Sequence, residues 1–373
     1  MQFIDLAAQQ RRIRTKIEAN IRTVLDHGKY IMGPEIGELE NRLADYVGVK
    51  HAISCSSGTD ALLMALMAYN IGPGDSVFTT PFTFIASAEV ISLLGAVPIF
   101  VDIDPKTYNI DPDKLDSAIR NSQPEIHNPK GIIAVDLFGL PADYDKINAV
   151  ARKHGLFVIE DAAQSFGGKY HGRRACSLAE IACTSFFPAK PLGCYGDGGA
   201  VFTDDDDLAE KMASVRIHGK GSHKYDNARI GINGRLDVIQ AAVLLAKLDI
   251  FPEEVDLRQE VAQCYTEGIA PHASLVPPSV PEGMKSVWAQ YSILPKDEGH
   301  RTALQEKLKA AGIPTAIYYP IPLHLQHAFA NLDYKEGDFP ISEDYSRRIF
   351  SLPMHPYLAE VEQERIVDLM FDV

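Results

Sequence analysis

Lys190 closes the segment Thr184-Ser-Phe-Phe-Pro-Ala-Lys190, and Asp161 closes an apolar run 29 residues earlier. A lysine amine can condense with an aldehyde. A carboxylate can pair with a protonated ring nitrogen and turn the ring into an electron sink. Together these are the two groups that pyridoxal 5'-phosphate (PLP) chemistry requires. Lysines are usually solvated, but Phe186, Phe187 and Pro188 precede this one. An apolar setting of that kind lowers an amine's pKa and frees it as a nucleophile.

Three further segments add to the pair. Ser57-Gly58-Thr59-Asp60 follows a strand pattern and opens a helix pattern. Gly58 lets a ligand approach the backbone, and the free N–H groups with the Thr59 hydroxyl can hold a phosphate at the positive end of the helix. The same residues also serve as an ordinary N-cap. Val158-Ile-Glu-Asp161-Ala-Ala-Gln164 places two acids at the C-terminal edge of a parallel sheet, where such folds bind ligands. There Asp161 is either a helix cap or the partner of a cationic ring nitrogen, and Gln164 could reach a neighbouring ring substituent. Ser185 is a second phosphate ligand by position. The turn Gly193-Cys-Tyr-Gly196-Asp-Gly198-Gly199 lets the chain reverse beside a bound cofactor.

The elements that must position these residues alternate. Helix patterns at 8–27 and 35–47 come first. Strand patterns at 51–54, 76–80, 97–102, 131–138, 157–160, 181–187 and 199–203 follow, with helices at 59–69, from about Phe84, at 143–154 and at 236–248. Continuous apolar strands in alternation with helices predict an α/β domain with a mostly parallel sheet covered on both faces. Phe251-Pro252 breaks the pattern. From residue 253 a smaller α+β domain is expected, with an amphipathic helix, a proline-rich passage at 276–281, a strand at 289–294 and helices at 301–311 and from 359. The division is thus 1–252 and 253–373.

Composition narrows the partners. A net charge of −14 disfavours a nucleic-acid surface, since phosphates reward clustered cations. Arg11, Arg12 and Arg14 read as the solvated face of a helix whose stripe is Ile13, Ile17, Ile21 and Leu25. Asp204 to Asp207 read as helix capping rather than metal binding, and no metal is expected. Five cysteines without paired spacing fit a reducing cytoplasm. The N-terminus has no signal-peptide pattern, and no apolar stretch is long enough to span a bilayer.

With these residues in view, the chain resembles the DegT/DnrJ/EryC1/StrS sugar aminotransferases, fold-type I PLP enzymes with a seven-stranded, mostly parallel sheet in the large domain. The resemblance runs through Phe3-Ile-Asp-Leu, Tyr30-Ile-Met-Gly-Pro-Glu35, Gly58-Thr-Asp-Ala-Leu62, Pro81-Phe-Thr-Phe84, Glu160-Asp-Ala-Ala-Gln164, Ser185 to Lys190, Gly231-Ile-Asn233-Gly-Arg235, Tyr319-Pro-Ile-Pro-Leu-His324 and Ser351-Leu-Pro-Met-His-Pro356. It implies that Lys190 is the covalent anchor and Asp161 the ring-nitrogen partner. Gln164 would bond the ring oxygen, and Phe84 would stack on the ring. Gly58, Thr59 and Ser185 would hold the phosphate, and Asn233 would complete that site from a partner subunit, which makes the active form a homodimer. Tyr30, Arg235, Tyr319 and His324 would meet the sugar nucleotide.

The chain departs from the family pattern at two positions. Ser57 stands where asparagine is frequent. Tyr318 stands at a substrate-facing position where histidine is usual. The implied reaction is transamination of a nucleotide-linked keto sugar with glutamate as donor and 2-oxoglutarate as product. The turn Leu192-Gly-Cys-Tyr-Gly-Asp-Gly-Gly199 is similar to members that aminate C3, in particular those making UDP-2-acetamido-3-amino-2,3-dideoxyglucuronate for lipopolysaccharide O-antigen. Arg235 would then meet the uronate carboxylate, or form a structural ion pair at the dimer interface. A 4-aminotransferase acting on a UDP- or dTDP-4-keto-6-deoxyhexose is the second reading. A non-catalytic regulator or scaffold is the third, and the joint presence of Lys190, Asp161 and Gln164 argues against it.

Overall fold

The computed structural model describes residues 1–121, 128–223 and 225–371. Two helices open the chain, α1 (Leu6–His27) and α2 (Pro34–Val47), each stopped by a glycine in the left-handed region, Gly28 and Gly48. Strand and helix then alternate: β1 (His51–Cys55), α3 (Gly58–Ala68), β2 (Asp75–Thr79), α4 (Ala86–Leu93), β3 (Val97–Phe100), α5 (Pro112–Asn121), β4 (Asn128–Val135), α6 (Tyr144–His154) and β5 (Phe157–Asp161). A small hairpin, β6 (Lys169–Tyr170) and β7 (Arg173–Arg174), precedes β8 (Ile181–Ser185), β9 (Gly199–Thr203), α7 (Asp206–Val215) and α8 (Val238–Leu248).

Seven of these strands form one sheet in the order β1-β9-β8-β5-β4-β2-β3. All neighbours from β8 to β3 are parallel, and β9 alone runs against them. The parallel strands are buried on both faces, which is why they read as unbroken apolar runs. On one face Ile53, Val77, Ile133, Ile159 and Val201 pack against α3 and α4. On the other, Phe78, Ile132, Ala134 and Val158 pack against α6. The C-terminal ends of β8, β5, β4 and β1 therefore open at one edge, the edge that carries Ser185, Asp161, Asp136 and Ser57.

The chain then enters α9 (Phe251–Ile269), β10 (Leu275–Val276), β11 (Met284–Lys285), β12 (Tyr291–Pro295), α10 (Glu298–Ala310), α11 (Pro340–Arg348), β13 (Phe350–Leu352) and α12 (Glu360–Phe371). A three-stranded antiparallel sheet β10-β12-β13 carries a second core around Tyr265, Tyr291, Leu304, Phe350 and Ile366. Phe251-Pro252 does not end structure. Pro252 sits in the first turn of α9, where its missing N–H costs nothing. The expected boundary at 252/253 thus falls inside one helix. Phe251 and Val255 pack into the large core, whereas Val261 and Tyr265 pack into the small one.

Several element ends differ from the sequence pattern. The run 131–138 is a strand only to Val135, and Phe138 then takes a left-handed conformation in a tight turn. The strand expected to reach Phe187 stops at Ser185. The helix expected near Phe84 starts at Ala86. Asp205 caps α7, accepting the Leu208 N–H at 2.8 Å, as the acidic run suggested.

Candidate active site

Ser57, the N-cap of α3, accepts the Asp60 N–H at 3.0 Å. Gly58 lies directly against Ser185 at the end of β8: a Cβ on Gly58 would stand 2.7 Å from the Ser185 Cβ. Only glycine permits this approach. It brings a helix N-terminus, with the unpaired N–H groups such an end carries, beside the Ser185 hydroxyl. Thr59 is the second residue of that first turn. The cradle suits a phosphate dianion.

Asp161 ends β5 and is buried. Its Oδ2 accepts the Ser87 hydroxyl at 2.7 Å, and its Oδ1 accepts the Ala163 N–H at 3.2 Å. Burial pushes its pKa up, while Ser87, Ala163 and the charge of Lys190 pull it back. Lys190 sits in the turn after β8, its N–H on the Phe187 carbonyl at 2.8 Å. Desolvation of its amine brings the pKa down to about 8, against the opposing pull of Asp161. An aldehyde requires a neutral amine, and a ring nitrogen requires a carboxylate. The two groups the sequence singled out face each other electrostatically.

Gln164 is buried, and both ends of its amide are engaged. Oε1 accepts the Phe138 N–H at 2.8 Å, and Nε2 donates to the Tyr319 hydroxyl at 3.1 Å. That bond ties the loop after β5 to the loop before α11. Phe84 is 54% exposed, with its ring 6.4 Å from that of Tyr319, so it offers an open aromatic face. Gly58, Thr59, Ser185, Lys190, Asp161, Gln164, Phe84 and Tyr319 thus come from the ends of β1, β2, β5 and β8 and from the Tyr319 loop. Tyr318 is half-buried, 6.4 Å from the Phe3 ring.

A second group is gathered around the same Ser56–Asp60 turn. Asn233 and Arg235 line a cavity of about 550 Å³ with Ile31, Ser56, Ser57, Asp60, Asp197 and Asp237. Tyr30 reaches the same neighbourhood, its carbonyl accepting the Val238 N–H at 3.3 Å. Lys190, Asp161, Gln164 and Phe84 are not among the walls. Arg235 Nε has no hydrogen-bond partner, and among the described residues Arg235 makes no ion pair.

His324 corrects an expectation. Its side chain is fully buried, with Nε2 3.0 Å from Glu343 Oε1 and its ring against Phe339. Glu343 also accepts the Gly337 and Phe339 N–H groups. His324 therefore holds the segment before α11 together and presents nothing to a substrate. Ser87, conversely, carries no signal in the sequence. It lies among Ala86, Ala88 and Val90 on a core-facing helix, and only the sheet order sets it beside Asp161.

The whole-chain comparison agrees with this geometry. Residues 11–371 match the DegT/DnrJ/EryC1/StrS aminotransferase family. This chain belongs to that family. It is 51% identical over 96% of its length to a UDP-2-acetamido-2-deoxy-3-oxo-D-glucuronate aminotransferase of Pseudomonas aeruginosa, of which it covers 96%. It is 43% identical over 98% of its length to a pleiotropic regulatory protein of Geobacillus stearothermophilus, of which it covers 96%. A family aminotransferase from Brucella abortus superposes with a TM-score of 0.94 at 50% identity, with 99% of this chain and 98% of that one covered. NtdA of Bacillus subtilis, solved with the amino form of the cofactor, superposes with a TM-score of 0.89 at 30% identity, with 99% of this chain and 82% of that one covered. The protein is a PLP-dependent aminotransferase, and the close approach of Gly58 to Ser185 together with Asp161 and Lys190 fits that cofactor.

Proposed function

We propose that the protein transfers an amino group from glutamate to C3 of a UDP-linked 3-keto uronate, UDP-2-acetamido-2-deoxy-3-oxo-glucuronate, in a reducing cytoplasm, for assembly of a surface glycan. The observation that carries the reading is the convergence of Lys190, Asp161, Gln164 and the Gly58–Ser185 cradle at one sheet edge, in a chain half identical to an enzyme named for that substrate.

When bound, PLP supplies a cationic ring that takes up the electron pair left on a carbon losing its proton. The rest falls to residues of this chain. Gly58, Thr59 and Ser185 would hold the phosphate. Asp161 would hold a proton on the ring nitrogen, Phe84 would cover the ring, and Gln164 would meet the ring oxygen from a side chain already fixed by Phe138 and Tyr319. Lys190 Nζ would anchor the aldehyde. Its amine, desolvated so that a neutral form is accessible, would lift the proton from the donor's α-carbon and redeliver it, and would do the reverse with the keto sugar.

Lys190 is not among the walls of the cavity that Asn233 and Arg235 line. The family resemblance supports an active homodimer in which each subunit would lend Asn233, Arg235 and Tyr30 to its partner's site. Arg235, without an ion pair of its own, is free to meet a carboxylate by two parallel hydrogen bonds. Arg235→Ala should weaken use of the uronate keto sugar by about 2–5 kcal/mol, the range for truncating one partner of a buried charge pair. A 6-deoxy keto sugar should be far less affected. Measuring the two half-reactions separately tests this. Loss confined to the glutamate half-reaction would make Arg235 a donor ligand and remove the uronate reading's only cation.

A further inference from the structure

Ser87 and Thr83 stand on one side of the chain leading into α4, and both are about 1% exposed. The Ser87 hydroxyl has one proton, and Asp161 Oδ2 takes it at 2.7 Å. Thr83 Oγ lies 3.4 Å from Ser87 Oγ, so the Ser87 oxygen accepts rather than donates there. Ala163 N–H occupies the other carboxylate oxygen at 3.2 Å. The carboxylate is thus gripped from the α4 side and from its own loop.

We infer that Ser87 is a positioning residue for the reaction: its hydroxyl, itself backed by Thr83, fixes the Asp161 carboxylate so that a ring N–H can complete its coordination. This rests on the reading of Asp161 as the ring-nitrogen partner. The physical need is plain. A buried carboxylate without donors takes up a proton of its own, and a protonated acid no longer favours a cationic ring. Ser87 is the strongest counterweight to that tendency. The charge of Lys190 adds to it more weakly. Glu160, the adjacent acid, points to the opposite face of the sheet, where it accepts the Cys176 and Leu178 N–H groups.

The test compares two ligands of the apoenzyme: PLP itself, and its carbocyclic analogue in which carbon replaces the ring nitrogen. Dissociation constants are measured by calorimetry for wild type, Ser87→Ala, Ser87→Cys and Asp161→Asn. Removing a hydroxyl that donates to a charged acceptor should weaken PLP by about tenfold or more. The analogue has no ring N–H, so its binding should change by less than about twofold, because the lost bond acts only through that group. Ser87→Cys keeps the volume with a weak donor and should shift PLP in the same direction. Equal weakening of both ligands, or of neither, in the Ser87 variants would overturn the inference. If Asp161→Asn discriminates between the ligands and Ser87→Ala does not, only Ser87 loses its role. If Asp161→Asn fails to discriminate, the ring-nitrogen assignment falls with it.

Discussion

The amine of Lys190 should titrate far below an ordinary lysine before any cofactor binds. Desolvation of the amine on this half-buried residue is the first cause and brings its pKa down to about 8; the Asp161 carboxylate opposes this by favouring the ammonium. At pH 7 a pKa near 8 leaves roughly a tenth of the amine neutral, against about one part in three thousand at the ordinary value near 10.5. The apoenzyme therefore offers about three hundred times more nucleophile to an aldehyde than a solvated lysine would. Trace acetylation of the apoenzyme with acetic anhydride across pH, followed by peptide mapping, reads this one residue without interference from the cofactor's own titrations. Labelling of the Lys190 peptide should rise with pH, pass its midpoint near 8 and level off. Asp161→Asn removes the group that favours the ammonium, so the midpoint should fall below that of wild type. A midpoint at 10 or above, or an upward move in Asp161→Asn, would refute the reasoning.

Gly58→Ala should cost most of the affinity for PLP while leaving the fold intact. The added Cβ would stand 2.7 Å from the Ser185 Cβ and must spread the phosphate cradle; unchanged affinity by titration of the apoenzyme would show the cradle is not used. Arg216 is buried, donating to Glu40 and to the Ser54 carbonyl at 2.8 Å beneath the strand that leads to Gly58. Arg216→Met should destabilise the apoenzyme by about 3 kcal/mol, the lower end for breaking a buried pair, since Glu40 keeps some access to water; urea unfolding at fixed protein concentration measures it. Mixing inactive Lys190→Ala with inactive Asn233→Ala protein should restore part of the activity through hybrid dimers. No restoration under conditions of proven subunit exchange would count against shared sites.

The cofactor side of the site is legible in the sequence because its chemistry is tied to residue type. An amine, a carboxylate, an amide and a glycine turn each sit where a strand ends, and strands buried on both faces announce themselves as apolar runs. Ser87 was invisible because a serine on a core-facing helix looks like a small packing residue. Its partner is 74 positions away, and only the placement of α4 over β5 joins them. His324 misled for the opposite reason. Its motif suggests a polar contact, but Glu343, 19 residues on, claims the ring nitrogen and Phe339 covers the face. The boundary drawn at residue 252 rests on a proline after an apolar helix reading as a stop, whereas here that proline opens α9, a helix that packs into both cores. Short elements such as α11 and β13 carry too few periodic positions to stand out.

The most direct test of the central claim is a single-turnover experiment. The enzyme is converted to its amino form with glutamate, freed of donor, and offered nucleotide keto sugars one at a time while the aldehyde form's absorbance is followed. UDP-2-acetamido-2-deoxy-3-oxo-glucuronate should restore that absorbance fastest, 4-keto-6-deoxyhexoses of UDP or dTDP should do so poorly, and Lys190→Ala should not respond. Recovery with the 4-keto sugars but not with the uronate would contradict the proposed substrate. Failure of every keto sugar, with an amino form that still returns on adding 2-oxoglutarate, would contradict the account as a whole.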